Sequence, residues 1–237
     1  MTDDADTTTR GVGVVVVAAG SGSRLGAGVP KAFAHLAGRP LLGHALDTVA
    51  RVPGLRSLVV VVPADLADVS GPAWAGVTVP PPGRVVAGGP ERSESVAAGL
   101  AALDGGCDVV LVHDAARCLT PLEVFERVVD AVRTGTADTA GAVPGLPVVD
   151  TVKTVDAQGV ITGSPARDAL RAVQTPQGFR REVLEAAYRS GQVATDDAAL
   201  VERIGHKVLV VEGDARALKV TTPADLEHAE RLLAAGP

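Results

Sequence analysis

The feature that most constrains this chain is a run of four valines, Val14 to Val17, that passes directly into Ala18-Ala19-Gly20-Ser21-Gly22-Ser23-Arg24-Leu25-Gly26 and closes with Pro30-Lys31. Consecutive β-branched residues with no polar alternation suit a strand covered on both faces. The small residues that follow let the backbone approach a ligand closely, with several N–H groups free to point at it. Arg24 and Lys31 add positive charge beside the turn. Such a turn suits a polyphosphate; the plainer alternative is a glycine-rich strand-to-helix turn with two solvated cations. Two familiar phosphate loops are excluded. Counting from Gly20, the sixth place of G-x-G-x-x-G is Leu25, and Lys31 does not follow a glycine as G-x-x-x-x-G-K-[ST] requires.

Apolar strand-like runs alternate with helical spacing along the chain. Strands are expected at 12–18, 57–62, 84–87, 108–113 and 139–143. Helices are expected after Pro40, where Leu41, Leu42, Ala45, Leu46 and Val49 recur at helical spacing, and at 93–103 and 121–133. This alternation predicts an α/β, Rossmann-like, mostly parallel sheet with helices on both faces. Residues 144–169 break the pattern with two short β-like runs, 148–155 and 160–162, around Asp156-Ala157-Gln158-Gly159. They read as a protruding β-hairpin arm. A two-stranded hairpin is marginal alone, so a second copy of the chain is expected to cover it; the alternative is a hairpin folded back on its own domain. Beyond the arm, helices are expected at 180–189 and 196–204, strands at 207–211 and 217–220, and a last helix from 223 to about 234. Residues 71–82 read as a loop in which Trp74 serves local packing, 1–10 as a loose tail, and 11–235 as one domain.

Aromatic residues make up 2% of the chain against 46% hydrophobic, so the core must be built from Ala, Val and Leu. A net charge of -6 argues against a nucleic-acid partner and requires any phosphate site to be a local positive pocket. Cys107 and Cys118 show neither metal-ligand spacing nor a disulfide framework. The N-terminus lacks the basic-then-apolar order of a signal peptide, and no apolar run reaches spanning length. A cytoplasmic protein without a membrane partner is the expectation.

The clearest chemistry lies in His113-Asp114-Ala115-Ala116-Arg117, at the end of an apolar strand. Charges there face the ligand crevice of an α/β sheet. Asp114 is a natural oxygen ligand for Mg²⁺ and Arg117 could fork onto a phosphate, unless the two simply pair with each other. His113 sits inside the apolar run and reads as a core residue rather than a base.

Taken together, these stretches resemble a known family. The A-A-G-x-G-x-R loop with its Pro-Lys is similar to the signature of sugar-phosphate and polyol-phosphate nucleotidylyltransferases. With GGPERSESV, LVHDAAR, DTVK, AVQTPQGF, TDDAALVE and KVTTPADL in order, the chain from about 12 to 233 resembles the 2-C-methyl-D-erythritol 4-phosphate cytidylyltransferases. The resemblance implies transfer of CMP from CTP to methylerythritol phosphate with Mg²⁺, Asp114 lying near the metal and the substrate. It implies Arg24 and Lys31 as catalytic cations, and Ala18, Ala19, Gly20, Gly22, Gly89 and Ser95 around CTP. Asp114, Arg117, Thr151, Arg167, Thr175 and Lys219 would hold the methylerythritol phosphate, with Thr151 and Arg167 carried by the arm to the partner of a homodimer. Two departures stand out: Pro90 follows the glycine pair, and the Asn-Ile common before the equivalent of Lys219 is missing, with Asp214 the only acid close before that lysine. A ribitol 5-phosphate cytidylyltransferase and a non-catalytic nucleotide-binding module are the alternatives.

Overall fold

The computed structural model describes residues 11–20, 25 and 28–236, so the expected tail at 1–10 lies outside it. The chain begins with β1 (Gly11–Val17). A 3-10 turn at Lys31–Phe33 and a short antiparallel pair, β2 (His35–Leu36) and β3 (Arg39–Pro40), lead into α1 (Leu41–Val49). Then come β4 (Leu55–Val62), β5 (Gly83–Ala87), α2 (Arg92–Ala101), β6 (Cys107–Asp114), α3 (Leu122–Thr134) and β7 (Thr139–Pro147). The arm carries β8 (Thr154–Val155) and β9 (Ile161–Gly163), followed by β10 (Arg171–Val173) and β11 (Gln177–Arg180). The chain ends with α4 (Arg181–Arg189), α5 (Asp197–Arg203), β12 (Lys207–Glu212) and α6 (Pro223–Ala235).

The main sheet runs β10-β7-β11-β6-β1-β4-β5, with β12 also paired to β7. Its core, β6-β1-β4-β5, is parallel throughout, while β11 and β10 enter antiparallel. From β1 the chain moves outward to β4 and β5, then crosses back to place β6 on the opposite side of β1. The order therefore reverses between β1 and β6, which is where open α/β sheets hold their ligands.

Successive side chains of a strand point to opposite faces, and the valine run serves both. Val14 and Val16 pack with Leu42 and Leu46 of α1 and Phe125 and Val128 of α3. Val15 packs on the other face with Val96 and Leu100 of α2, Leu184 of α4 and Leu200 of α5. A third cluster joins α6 to the β2–β3 turn through Ala229, Leu36 and Ala45. Trp74 is buried, donates from Nε1 to the Leu66 carbonyl at 2.9 Å and meets Phe33 edge-on, so it serves packing as expected.

Two segments differ from the sequence expectation. Residues 217–220 are no strand: Ala215–Ala217 is a 3-10 turn whose start is capped by Asp214 accepting from the Arg216 N–H. In place of a strand ladder, Val220 makes one backbone bond to a neighbouring segment, donating to the Ala116 carbonyl at 2.9 Å. Conversely, the 171–180 stretch supplies two sheet strands that its mixed Gln, Thr and Pro composition concealed. The arm stands apart from the main sheet, with Val155, Val160 and Ile161 between 57% and 60% exposed, rather than folded back on it.

Helix α2 seats tightly because Gly99 has no side chain: a Cβ there would lie 2.4 Å from Val15 Cγ1 and 3.0 Å from Val61 Cγ2. Gly99→Val is therefore expected to destabilise the protein by roughly 2 kcal/mol or more through overpacking. Gly105→Ala, where a Cβ meets nothing within 4 Å, should be near neutral. Urea midpoints of the two variants check the contrast.

Candidate active site

A cavity of about 570 Å³ opens at the C-terminal ends of β1, β4, β5 and β6. Its floor is set by the β1–β6 register, in which Val17 lies opposite Asp114 and the Ala115 N–H donates to the Val17 carbonyl at 3.1 Å. Ala18, Ala19 and Gly20 leave β1 along one wall, and Lys31 enters from the following 3-10 turn. Gly88, Gly89 and Ser95 form the opposite wall at the start of α2. The glycine pair is sterically required: a Cβ on Gly88 would lie 2.6 Å from Ser95 Oγ, and one on Gly89 2.5 Å from Glu94 Cβ. The Ser95 hydroxyl donates to the Gly89 carbonyl at 3.3 Å, and a capping box between Glu91 and Glu94 holds the first turn of α2.

Lys219 reaches the cavity on a loop held at several points. Its neighbour Val220 bonds Ala116, the Arg117 guanidinium donates to the Ala217 carbonyl at 2.7 Å, and Gln174 both donates to the Asp214 carbonyl and accepts from the Asp214 N–H. Beyond the loop, Thr222 and Asp225 form the capping box that opens α6. Lys219 Nζ then lies 2.6 Å from Asp114 Oδ2. The opposite oxygen, Oδ1, faces Arg92 Nη2 at 3.6 Å. Burial alone would push the Asp114 carboxyl up, but Lys219, Arg92 and Arg117 together outweigh it and hold the group at about 2. Asp114 is thus a fixed anion inside a ring of cations.

The structure sorts the sequence candidates. Ala18, Ala19, Gly20, Lys31, Gly89, Ser95, Asp114 and Lys219 all line the cavity. The Arg117 N–H donates to the Asp114 carbonyl at 2.9 Å, but Arg117 turns its guanidinium onto the carbonyls of Ala217 and Val173, outside the lining. Thr175 is buried behind the wall, where its hydroxyl accepts from the Asp114 N–H at 3.0 Å and meets His113 Nδ1 at 3.1 Å. Thr151 and Arg167 lie on the exposed arm, away from this chain's own cavity lining. Gly22 and Arg24 lie outside the described residues. Asp214 pairs with Arg216 rather than entering the cavity. The residue sequence reasoning passed over is Arg92, which lines the cavity from the first turn of α2; its place inside GGPERSESV was the available signal.

The surroundings also narrow the chemistry. His113 is buried against Phe125, and desolvation lowers its ring to about 4. Burial pushes the Cys118 thiol up to about 12, so it presents no ready thiolate. Among the described residues no three His, Cys, Asp or Glu side chains cluster as a metal cage. No described helix is long and apolar enough to cross a membrane.

A glycine-walled cavity at the reversal point of a parallel sheet, rimmed by cations and with no activated His or Cys among the described residues, fits an α/β nucleotidyltransferase. The comparisons with known proteins agree. The profile described as IspD, 2-C-methyl-D-erythritol 4-phosphate cytidylyltransferase, matches residues 12–235. A 2-C-methyl-D-erythritol 4-phosphate cytidylyltransferase of Nocardia farcinica is 50% identical over 223 residues, covering 92% of each chain. The crystal structure of 4-diphosphocytidyl-2C-methyl-D-erythritol synthase from Anaerococcus prevotii superposes with a TM-score of 0.81 at 28% identity, over 95% of this chain and 96% of that one. The cytidylyltransferase structure from Thermus thermophilus gives a TM-score of 0.74 at 34% identity, over 94% and 99%. The chain belongs to the 2-C-methyl-D-erythritol 4-phosphate cytidylyltransferase family.

His113 is expected to stay neutral down to about pH 5 in the folded protein, which its ring proton resonances can test. The unfolded chain takes up this proton near pH 6.5 and the folded one only near 4. The unfolded state therefore binds more protons in that window, and stability falls as the pH drops through it. In His113→Gln, unfolding free energy should fall less steeply between those two pH values.

Proposed function

We infer that this protein transfers the CMP unit of CTP to 2-C-methyl-D-erythritol 4-phosphate, releasing pyrophosphate and giving 4-diphosphocytidyl-2-C-methyl-D-erythritol for isoprenoid precursor synthesis. The observation that carries this reading is the convergence of Lys31, Asp114 and Lys219 on one cavity at the sheet reversal, in a chain whose family match spans residues 12–235.

The substrate phosphate is ionised at neutral pH and can attack the α-phosphorus of CTP directly. A bond forms from its oxygen to that phosphorus, the bond from the α-phosphorus to the bridging oxygen breaks, and pyrophosphate leaves with the electron pair. No general base or covalent nucleophile is needed, consistent with a His113 and a Cys118 buried away from such roles. The protein's contribution is positioning and charge stabilisation. Backbone N–H groups around Ala18, Ala19, Gly20 and Gly22 would surround the triphosphate, and Lys31 with Arg24 would meet the charge growing on the α-phosphate and leaving group. The narrow wall at Gly88, Gly89 and Ser95 suits a pyrimidine ring. Lys219 would hold the sugar phosphate, with Arg117 and Thr175 bracing its loop and Asp114 from behind.

Mg²⁺ fits this donor set as an ion carried by the triphosphate rather than caged by protein. Such ions are ordinarily held by phosphate oxygens, water and one or two carboxylates, and Asp114 is the buried carboxylate of the lining. When bound, the ion would neutralise part of the triphosphate charge.

The arm supports a homodimer. Its exposed Val155, Val160 and Ile161 would be covered by a second copy, and Thr151 and Arg167, outside this chain's cavity lining, would complete the partner's site. The protein would work in the cytoplasm.

Pyrophosphate release with CTP and Mg²⁺ tests the reading: it should be fast with methylerythritol phosphate and absent with ribitol 5-phosphate. The reverse would move the protein to the other polyol phosphate, and release with neither, despite CTP binding, would make it a binding module. Lys31→Ala should lower kcat on the order of 100-fold with little change in the CTP KM. Ile161→Asp on the arm should shift the dimer to monomer in sedimentation and weaken sugar-phosphate binding while CTP binding persists.

A further inference from the structure

The cavity's second cation is anchored from outside the cavity. Arg92 is the first residue of α2, and a cation at a helix N-terminus is disfavoured by the helix dipole. Something else must keep it there. Arg92 Nη2 lies 2.9 Å from Asp197 Oδ2, and Asp197 is fully buried at the first turn of α5. The other oxygen of Asp197 accepts from the Tyr188 hydroxyl of α4. Burial raises the phenol, and the adjoining carboxylate raises it further, so Tyr188 remains a donor across the physiological range. The α5 N-terminus is itself fixed, because Gln177 accepts from the Ala198 N–H at 3.2 Å and donates to Asp196 at 3.0 Å. A chain of contacts thus runs from α4 through Tyr188, Asp197 and Arg92 to Asp114, and from there to Lys219.

A buried carboxylate is costly unless a cation answers it. Among the described residues Asp197 is paired with one cation, Arg92, whose side chain is one-third exposed and lines the cavity. The same guanidinium nitrogen is shared with Asp114, so its placement decides how much of Asp114 is left to Lys219.

We propose that Asp197 is a positioning residue for the transfer: it fixes Arg92 as a further anion-binding cation of the cavity and, through Asp114, sets the orientation of Lys219 toward the incoming phosphate. The proposal rests on the assignment of the cavity to CTP and a sugar phosphate. In this arrangement Arg92 touches ligand oxygens, while Asp197 and Tyr188 act only through Arg92.

The test is a double-mutant cycle in the full-length protein, with pyrophosphate release and equilibrium CTP binding as readouts and melting temperature as a check on folding. Asp197→Asn and Arg92→Met should each lower kcat or raise the sugar-phosphate KM roughly tenfold, with CTP affinity nearly unchanged. Because the two residues act as one unit, the double variant should be no worse than either single one. Tyr188→Phe removes one hydrogen bond and no charge, and should cost about threefold with the same split between the two substrates. It keeps the proposal open to refutation should Asp197→Asn fail to fold. Additive effects in the cycle, or a folded Asp197→Asn or Tyr188→Phe with unaltered kinetics, would overturn the proposal. Lys219→Ala tests the underlying assignment separately: a full rate in that variant would remove the cavity's role and not merely that of Asp197.

Discussion

The cavity depends on the parallel pairing of β1 with β6. That register puts Val17 opposite Asp114, so the glycine-rich turn leaves one strand at the level where the other presents its C-terminal carboxylate. A shift of one residue would turn Asp114 to the other face of the sheet. The register is specified because both faces of both strands are buried: Val14, Val15, Val16, Val110, Leu111 and Val112 have no solvent side to which they could slip. The cavity therefore inherits its geometry from the hydrophobic effect acting several residues away.

Electrostatics then act on that frame. An acidic chain concentrates Lys31, Arg92 and Lys219 around one cavity, with Asp114 between the latter two. Buried ion pairs contribute little net stability, since desolvation offsets most of their attraction, but removing one partner strands a charge. The stabilising burden falls on the valine core, and the ion pairs fix orientation. This is the preorganisation that a reaction between two anions requires, because the cations need not move as charge develops. Thr175 and Gln174 contribute by bracing the backbone: one accepts from the Asp114 N–H, the other holds both backbone groups of Asp214.

The arm follows a different physical rule. Its strands are two and three residues long, pair only with each other, and leave their apolar side chains in solvent. Among the described residues nothing covers them, in contrast to β10 and β11, which lie next to the arm in sequence and join the main sheet.

Much of the fold was legible in advance because strand and helix periodicities are local properties. The valine run, the spacing Leu41, Leu42, Ala45, Leu46 and Val49, and the Thr222-Pro223 start of α6 all declare themselves within a dozen residues. The turn at Ala18 to Gly20, and Lys31, Gly89, Ser95, Asp114 and Lys219, could be named from motifs. What the sequence could not decide were relations between distant segments. Arg92 and Asp197 stand 105 residues apart, and only the packing of α2 against α4 and α5 brings them to 2.9 Å. Arg117 and Thr175 stand out in their motifs, but only the tertiary structure shows their partners, the Ala217 carbonyl for one and the Asp114 N–H for the other. Residues 217–220 have a strand's composition, but a cap at Asp214 and one backbone bond to Ala116 in place of a ladder leave them as the loop that delivers Lys219. Residue type and spacing determined which elements form and which chemistry is available. Strand order and helix packing decided which side chains meet, because contact between remote segments is a property of the folded core and not of any local stretch.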